Sequence, residues 1–492
     1  MSEYTVDVAV AGAGGTGLSA AHAAAQNGLS VIVLEKLPQI GGNTRISSGF
    51  FAIDTKEQRA AGLHLSNQEA IRQLTNYEHY LSNGALVKRI VQNAKPTLEE
   101  LERMGMEIKL NPTAETTQFA HRDNPYEGGS YHMYQNKDES YRRIQETLER
   151  EGVKFLFNVT LQKLLTEDDH VVGICAVDQE GNKVLVHAKA TMVATGGFGG
   201  NKKRVAEVMK TDRMRSLGVP NMGEGLDAME RVGAVNIDGT ALIHAAQLTK
   251  SKVTQRTTKK IRAGFSDNPI TRLLLTPLLW VDLCGRRFTN EDVVYDTVLW
   301  ANAGLSVGGK YFFVVDSATL RDYDVTPKLE VSKAGPGAST TPGDFIELAD
   351  EAVEGGQAYK GNSLEELAKS TGMDPDQLKQ TVSKYNTAIK YRNDVEFSKD
   401  GQHLVYPVKD GPFYAFVAQV AYLGTVGGVR VDDYMHVLDA DFNPIKGLYT
   451  GGTNAGGYYD GRNYPTYEGL ASGFAWTSGR LAGLAMAEDL KK

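Results

Sequence analysis

Apolar and polar positions set a strand–helix–strand rhythm in the first forty residues of this chain. Residues 5–11 (TVDVAVA) are β-branched and apolar and predict a buried strand. Gly12-Ala13-Gly14-Gly15-Thr16-Gly17 follows. Residues 18–27 read as a short alanine-rich helix stopped by Gly28, and 30–34 as a second strand closed by Glu35. In this register the glycines let backbone N–H groups reach a pyrophosphate at a helix N-terminus. The terminal acid can bond a ribose hydroxyl.

Further on, Gln39-Ile40-Gly41-Gly42-Asn43-Thr44 and Ser47-Ser48-Gly49 predict a close-approach loop rich in donors. Residues 67–104 read as polar helix, and 137–151 as a charged amphipathic helix stopped at Gly152. Strands are expected at 153–158 and 161–165, with a hairpin of 171–177 and 183–190 around Gly181-Asn182. Another strand, 191–195, runs into Gly196-Gly197-Phe198-Gly199-Gly200, a second backbone approach point. The texture changes near 237: 250–262 is basic and reads as a solvated face, 325–345 is rich in Pro, Gly, Ser and Thr, and helices are expected at 363–371 and 374–392. Near 422 the first texture returns. Gly427-Gly428-Val429 leads a strand, 447–453 is a strand ending in glycines, and 469–488 is a helix rich in small residues. The expectation is an α/β chain: a Rossmann-like nucleotide domain, 1–236 plus 422–492, interrupted by an α+β capping domain, 237–421.

Bulk properties narrow the function. The 492 residues are 41% hydrophobic with net charge -7, and the mixed signs argue against a nucleic-acid partner. No apolar run reaches the roughly 20 residues of a membrane span. The start leads directly into a strand with no leader pattern, which predicts a cytoplasmic chain. Cys175 and Cys284 match no iron–sulfur or haem-attachment spacing and no disulfide framework, and each is expected to be a small buried hydrophobe. Redox chemistry would then belong to an organic cofactor or to a partner.

The chain resembles the flavin-dependent fumarate reductase and succinate dehydrogenase superfamily almost end to end. The resemblance rests on Gly12 to Gly17 with Glu35, Gly41-Gly42-Asn43-Thr44, Ala194-Thr195-Gly196-Gly197-Phe198-Gly199, and Gly223-Glu224-Gly225 before Met229. It continues through Gly285-Arg286-Arg287-Phe288-Thr289-Asn290-Glu291, Gly427-Gly428-Val429, Gly447 to Thr453 and Ser478-Gly479-Arg480. It implies non-covalent FAD, a Rossmann-like flavin domain under a mobile cap, and transfer of a hydrogen pair across a C–C bond. Relatives with this layout include unsaturated-acid reductases and 3-ketosteroid dehydrogenases. By resemblance FAD would contact Gly12, Gly14, Gly15, Thr16, Gly17, Glu35, Lys36, Gly41, Gly42, Asn43, Thr44, Ser48, Gly49, Val159, Thr195, Gly196, Gly452 and Thr453. Gly469, Leu470, Ala471 and Ser472 would lie near its ring, where the last helix aims its positive end.

The chain departs from the acid reductases where they grip carboxylates. It has Leu423-Gly424-Thr425 in place of a histidine, Val294-Tyr295-Asp296 in place of an arginine, and Asn463-Tyr464-Pro465-Thr466-Tyr467-Glu468-Gly469 in place of a substrate arginine segment. A tyrosine hydroxyl suits a neutral carbonyl or a phenol but cannot neutralise a carboxylate as arginine does. The reading is an apolar cyclic enone. Tyr295 would exchange the α-carbon proton, Tyr464 and Tyr467 would bond the carbonyl oxygen, and Glu291 would match a family glutamate in the proton-relay region. Packing of the tyrosines Tyr458, Tyr459, Tyr464 and Tyr467, surface placement of Glu291, and a packed structural role for His244 are the plain alternatives. Arg321 could match the catalytic arginine of acid reductases, or be a surface arginine. An unsaturated-acid reductase anchored by Arg321 and Arg462 is the competing enzyme, and a flavin-bearing electron carrier the competing class. A disulfide reductase would require a second dinucleotide motif. A small-molecule substrate and an electron donor or acceptor are expected as partners.

Overall fold

The computed structural model of the chain describes residues 1–111, 129–218, 220–250, 269–296, 300–332, 343–459 and 467–492. Strand β1 (Ser2–Ala11) turns at the glycines into helix α1 (Gly15–Gln26), and strand β2 (Val31–Glu35) returns parallel to β1 with Val8 beside Val31 and Ala11 beside Leu34. Helix α2 (Lys137–Arg150) precedes β3 (Lys154–Phe157), which lies parallel to β2. On the other flank β4 (Lys183–Val193) runs parallel to β1. Strands β1, β2 and β4, five to eleven residues long, are rich in β-branched residues and almost fully buried near the glycine turn, as a sheet covered on both faces requires.

Strand β5 (Asn236–Leu248) leads out into the middle of the chain, and β6 (Phe413–Val429) returns antiparallel to it. Their second sheet also holds Leu279–Val281 and Lys310–Asp316, and it packs on a core of its own around Trp280, Trp300, Tyr311 and Phe416. Strand β7 (Pro444–Thr450) then rejoins the first sheet parallel to β4. Helix α3 (Leu470–Asp489) closes the chain against α1. Small residues permit that contact: a Cβ at Gly479 would stand 2.1 Å from the Thr16 carbonyl oxygen, and one at Gly483 2.5 Å from that of Ala20.

Several expectations change. Residues 191–195 start no strand of their own, because β4 runs unbroken to Val193. Gly427-Gly428 ends β6 instead of leading a strand, at φ 100° and 127°, where Gly428 meets the Asn454 carbonyl. The expected 67–104 helix is two, Asn67–Tyr77 and Gly84–Met104, each with its own N-cap, Ser66 and Asn83. The boundary expected at 421/422 falls inside β6. Cys175 is buried as expected, but Cys284 is exposed. Among the described residues no helix is long and apolar enough to cross a membrane.

Candidate cofactor and substrate site

The front crevice is made by backbone approach. Gly12 holds φ 102°, and a Cβ there would lie 2.4 Å from the Ala194 carbonyl oxygen. One at Gly17 would lie 1.9 Å from that of Gly12. Gly14 differs, since a Cβ there would meet nothing within 4 Å. The first two glycines therefore fold the turn, and the third leaves room in front of α1. Thr44 braces the turn from the second loop, accepting from Gly15 N at 2.9 Å and donating to Gly41 O at 2.6 Å. Gly41 N donates to Ala13 O at 2.8 Å. Asn43 reaches β6, its Nδ2 donating to Leu423 O at 2.6 Å, while its buried Oδ1 has no partner.

Glu35 closes β2 inside the crevice, 6% exposed. Its carboxylate accepts from Ala13 N at 2.7 Å and from Leu37 N at 2.8 Å. Burial nonetheless raises its pKa above the usual glutamate value, outweighing those bonds and the Lys36 charge. The Lys36 ammonium itself is tied to Pro220 O at 2.8 Å and the Glu224 carboxylate at 3.0 Å. Val159 is buried behind Glu35, its N donating to Glu35 O at 3.0 Å. Thr195 and Gly196 are half-buried at the end of β4, and Thr453 accepts from Gly197 N at 3.0 Å. Gly452, at φ 55°, donates to Ser478 Oγ at 2.8 Å. Ser48 is exposed at the rim, and Gly49 is buried against Tyr131.

Helix α3 starts at Gly469, φ 76°, with no side-chain cap. The first N–H groups of a helix have no acceptor within it, so Leu470, Ala471 and Ser472 present a positive end. Ala471 and Ala475, one turn apart, are half-buried while Leu470, Ser472, Phe474 and Trp476 between and beside them are buried. The core that packs beside it is aromatic and buried, with the Glu78 carboxylate acting on Tyr458. Tyr134 bonds Ser472 Oγ at 2.7 Å, Tyr458 stacks on Phe474 with centroids 4.3 Å apart, and Phe51 lies 5.1 Å from Tyr467.

Of the expected catalytic residues that are described, Tyr467 packs in the first core and Tyr295 against the second. Tyr467 is 1% exposed and gives its single proton to Gln73 Oε1, so it faces protein where a substrate carbonyl was expected. Tyr295 sits on the turn Glu291–Tyr295 of the other core, donating to Glu330 O at 2.7 Å, with its ring 5.0 Å from His403. Glu291 is no surface charge. It is fully buried, bonded twice by Arg287 at 2.7 Å, with Lys399 at 3.4 Å. Arg321 is exposed on the helix Ser317–Val325. Tyr464, Arg462 and the side chain of His244 lie outside the described residues, as does the basic run beyond 250.

Residues 7–464 match the family described as FAD binding domain. The chain belongs to that family. It is 26% identical to the vinyl phenol reductase of Lactiplantibacillus plantarum, over 98% of this chain and 96% of that protein. It is 27% identical to the NADH:fumarate oxidoreductase of Klebsiella pneumoniae, over 92% of this chain but only 45% of that longer protein. Among solved structures it superposes with a TM-score of 0.74 on a 3-ketosteroid delta1-dehydrogenase from Sterolibacterium denitrificans, at 20% identity over 99% of this chain and 100% of that one. An open flavocytochrome c3 fumarate reductase gives a TM-score of 0.68 at 24% identity, over 99% of this chain and 78% of that one. The α/β fold with its parallel sheet is thus the fold of flavoprotein reductases and dehydrogenases.

The residues of this FAD-binding chain fit the cofactor. Gly14 leaves the space a pyrophosphate needs at the head of α1. Asn43 Oδ1 and Asn454 Nδ2, buried and unpartnered, offer an acceptor and a donor beside the crevice. Ala471 and Ala475 make room for a flat ring at the start of α3. Two contributors escaped the sequence reading. Ala475 carries no chemical signal beyond its spacing of four from Ala471. Tyr134 comes from a strand remote in sequence, and only the fold places it on Ser472.

Proposed function

We propose that this FAD-binding chain reduces a C–C double bond conjugated to a carbonyl on an apolar, cyclic substrate, or desaturates the same bond in reverse. The carrying observation is that Tyr295 and Tyr464 stand where the acid reductases, by the resemblance, carry cations. A tyrosine hydroxyl suits a ketone or phenol oxygen and does not neutralise a carboxylate. Among the relatives, vinyl phenol and fumarate are both alkenes, which supports chemistry at a C–C double bond.

Bound FAD supplies a hydride at N5 for the β-carbon, or takes one from it. The chain's own residues do the rest. The N–H groups at the start of α3 favour negative charge beside them. Tyr295 is assigned the proton at the α-carbon, and substrate must displace its bond to Glu330 O. Tyr464 is assigned the hydrogen bond to the carbonyl oxygen, which stabilises the developing enolate.

A second reading, reduction of an unsaturated carboxylate, is favoured by the fumarate enzyme among the relatives and would use Arg462 as anchor. An anaerobic assay separates the two. The FAD-loaded protein is reduced with dithionite and mixed in turn with steroid enones, aryl acrylates, fumarate and urocanate, and flavin absorbance is followed. Rapid reoxidation by the enones is expected. Reoxidation by carboxylates alone, abolished in Arg462→Leu, would establish the second reading. No reoxidation by any alkene would make the chain an electron carrier.

A further inference from the structure

Helix α2 begins against the usual preferences. Its N-cap, Asn136, sits in the left-handed region at φ 40° and gives no capping bond. Its first residue is Lys137, a cation at the positive end of the helix dipole, where acids are favoured. Asp138 and Glu139 in the first turn obey the dipole preference, but the uncapped Asn136 and Lys137 do not, which points to another demand on these two residues. The Lys137 ammonium donates to three successive main-chain carbonyls, Arg45 O at 2.9 Å, Ile46 O at 3.4 Å and Ser47 O at 3.1 Å. Those carbonyls end the short turn Gly42–Arg45, which starts on the glycine crevice. The next residue of the helix, Asp138, pairs with Arg45 at 2.6 Å, and Tyr141 lies 5.3 Å beneath the Arg45 guanidinium.

The loop is therefore gripped at both ends. Gly41 and Thr44 fasten its front to Ala13 and Gly15, and Lys137 gathers the carbonyls at its back. Between these anchors stand Gly42, Asn43 and Thr44, which face the FAD crevice. We infer that Lys137 is a positioning residue for the cofactor, holding the 42–48 loop in the shape that receives FAD. It acts through backbone carbonyls and needs three donors on one atom. An ammonium meets that demand, while a methionine of similar length fills the space and donates nothing.

The inference rests on FAD binding by this chain, and wild-type protein that takes up no FAD would overturn that premise itself. Given wild-type uptake, apoprotein of Lys137→Met and Lys137→Gln is titrated with FAD by fluorescence, and the melting temperature of each apoprotein is recorded. Hydrogen bonds to a charged donor predict a Kd for FAD raised about tenfold in Lys137→Met, with Lys137→Gln intermediate. The apoprotein melting temperature should stay at the wild-type value. A Kd unchanged in both variants overturns the inference. So does a fall in apoprotein melting temperature that parallels the loss of affinity, or failure of both variants to fold, because each result makes Lys137 a staple of the fold alone.

Discussion

The two halves of the molecule hold their centres together by opposite means. In the FAD crevice the contacts are backbone on backbone, with Gly12 against Ala194 and Gly17 against Gly12. In the segment between β5 and β6 the core closes over four charges. Arg287 bonds Glu291 and Asp394 at 2.7 Å each, Lys399 lies 3.4 Å from Glu291, and none of the four side chains is more than 4% exposed. Close backbone approach needs only the absence of side chains, so it shapes a surface that a ligand can share. Buried charges satisfy one another and leave nothing over for a ligand, so they serve to fix geometry. Glu291, surrounded by two cations and closed to water, belongs to that fixing role; it pins the turn that carries Tyr295 to the segment around Lys399.

The largest effect separates two glycines three residues apart. Gly17→Ala drives a Cβ to 1.9 Å from a backbone oxygen, so α1 has to shift, and apoprotein stability should fall by about 2 kcal/mol or more with FAD uptake lost. Gly14→Ala meets no atom within 4 Å and sits at φ -76°, so its apoprotein should unfold like wild type while FAD uptake is equally lost. Urea unfolding of the two apoproteins beside FAD titration reads both. A Gly14→Ala protein that keeps wild-type affinity would show that the space before α1 is not the pyrophosphate seat.

The segment between β5 and β6 gives the next effect, on stability and without the loss of FAD uptake. Glu291→Gln leaves Arg287 and Lys399 buried with one anion between them, and removal of a buried partner costs about 3–5 kcal/mol. The loss should appear in denaturant unfolding followed by tryptophan fluorescence, since Trp280 donates its backbone N–H to Glu291. FAD affinity should change far less than in the Gly14 variant. Equal losses in both measurements would mean that the crevice and this segment are one cooperative unit, with β5 and β6 transmitting strain between them.

This contrast also explains what the sequence made legible. The signals of the β1–α1–β2 unit lie within thirty-five residues, and helix stop and terminal acid each have a local cause, although Gly12 also makes room for Ala194 far along the chain. The glycine-bounded end of β7 and helix α3 were legible from local signals too. The charged core between β5 and β6 joins residues 287–291 to residues 394–399, and no periodicity within either segment announces the other. Tyr467 shows the limit of a local reading. Its place in the segment where acid reductases carry a substrate arginine suggested a substrate contact, and its hydroxyl donates to Gln73, from a helix distant in the chain. Local reading could not supply the partners that engage the tyrosine hydroxyls, such as Gln73 for Tyr467 and Glu330 for Tyr295.

Glu35 stands between the two styles, a buried charge inside the backbone-built crevice, and it yields the smallest effect with the clearest sign. Burial lifts its pKa in the apoprotein, so the protonated form gains relative to an unfolded glutamate. Its contribution to apoprotein stability is therefore full below the usual value of 4.5 and is lost as pH rises through the raised pKa. A ribose hydroxyl donating to the carboxylate favours the ionised form, so FAD affinity runs the other way, full above the raised pKa and weakening as pH falls through it. Glu35→Gln should cost about tenfold in Kd for FAD at neutral pH, the worth of one hydrogen bond to a charged group. It should also flatten the acid limb of affinity against pH. FAD titrations of wild type and Glu35→Gln from neutral pH down through the raised pKa supply the measurement. Parallel curves for the two proteins would place the ribose elsewhere and leave Glu35 as a brace for Ala13 and Leu37 alone.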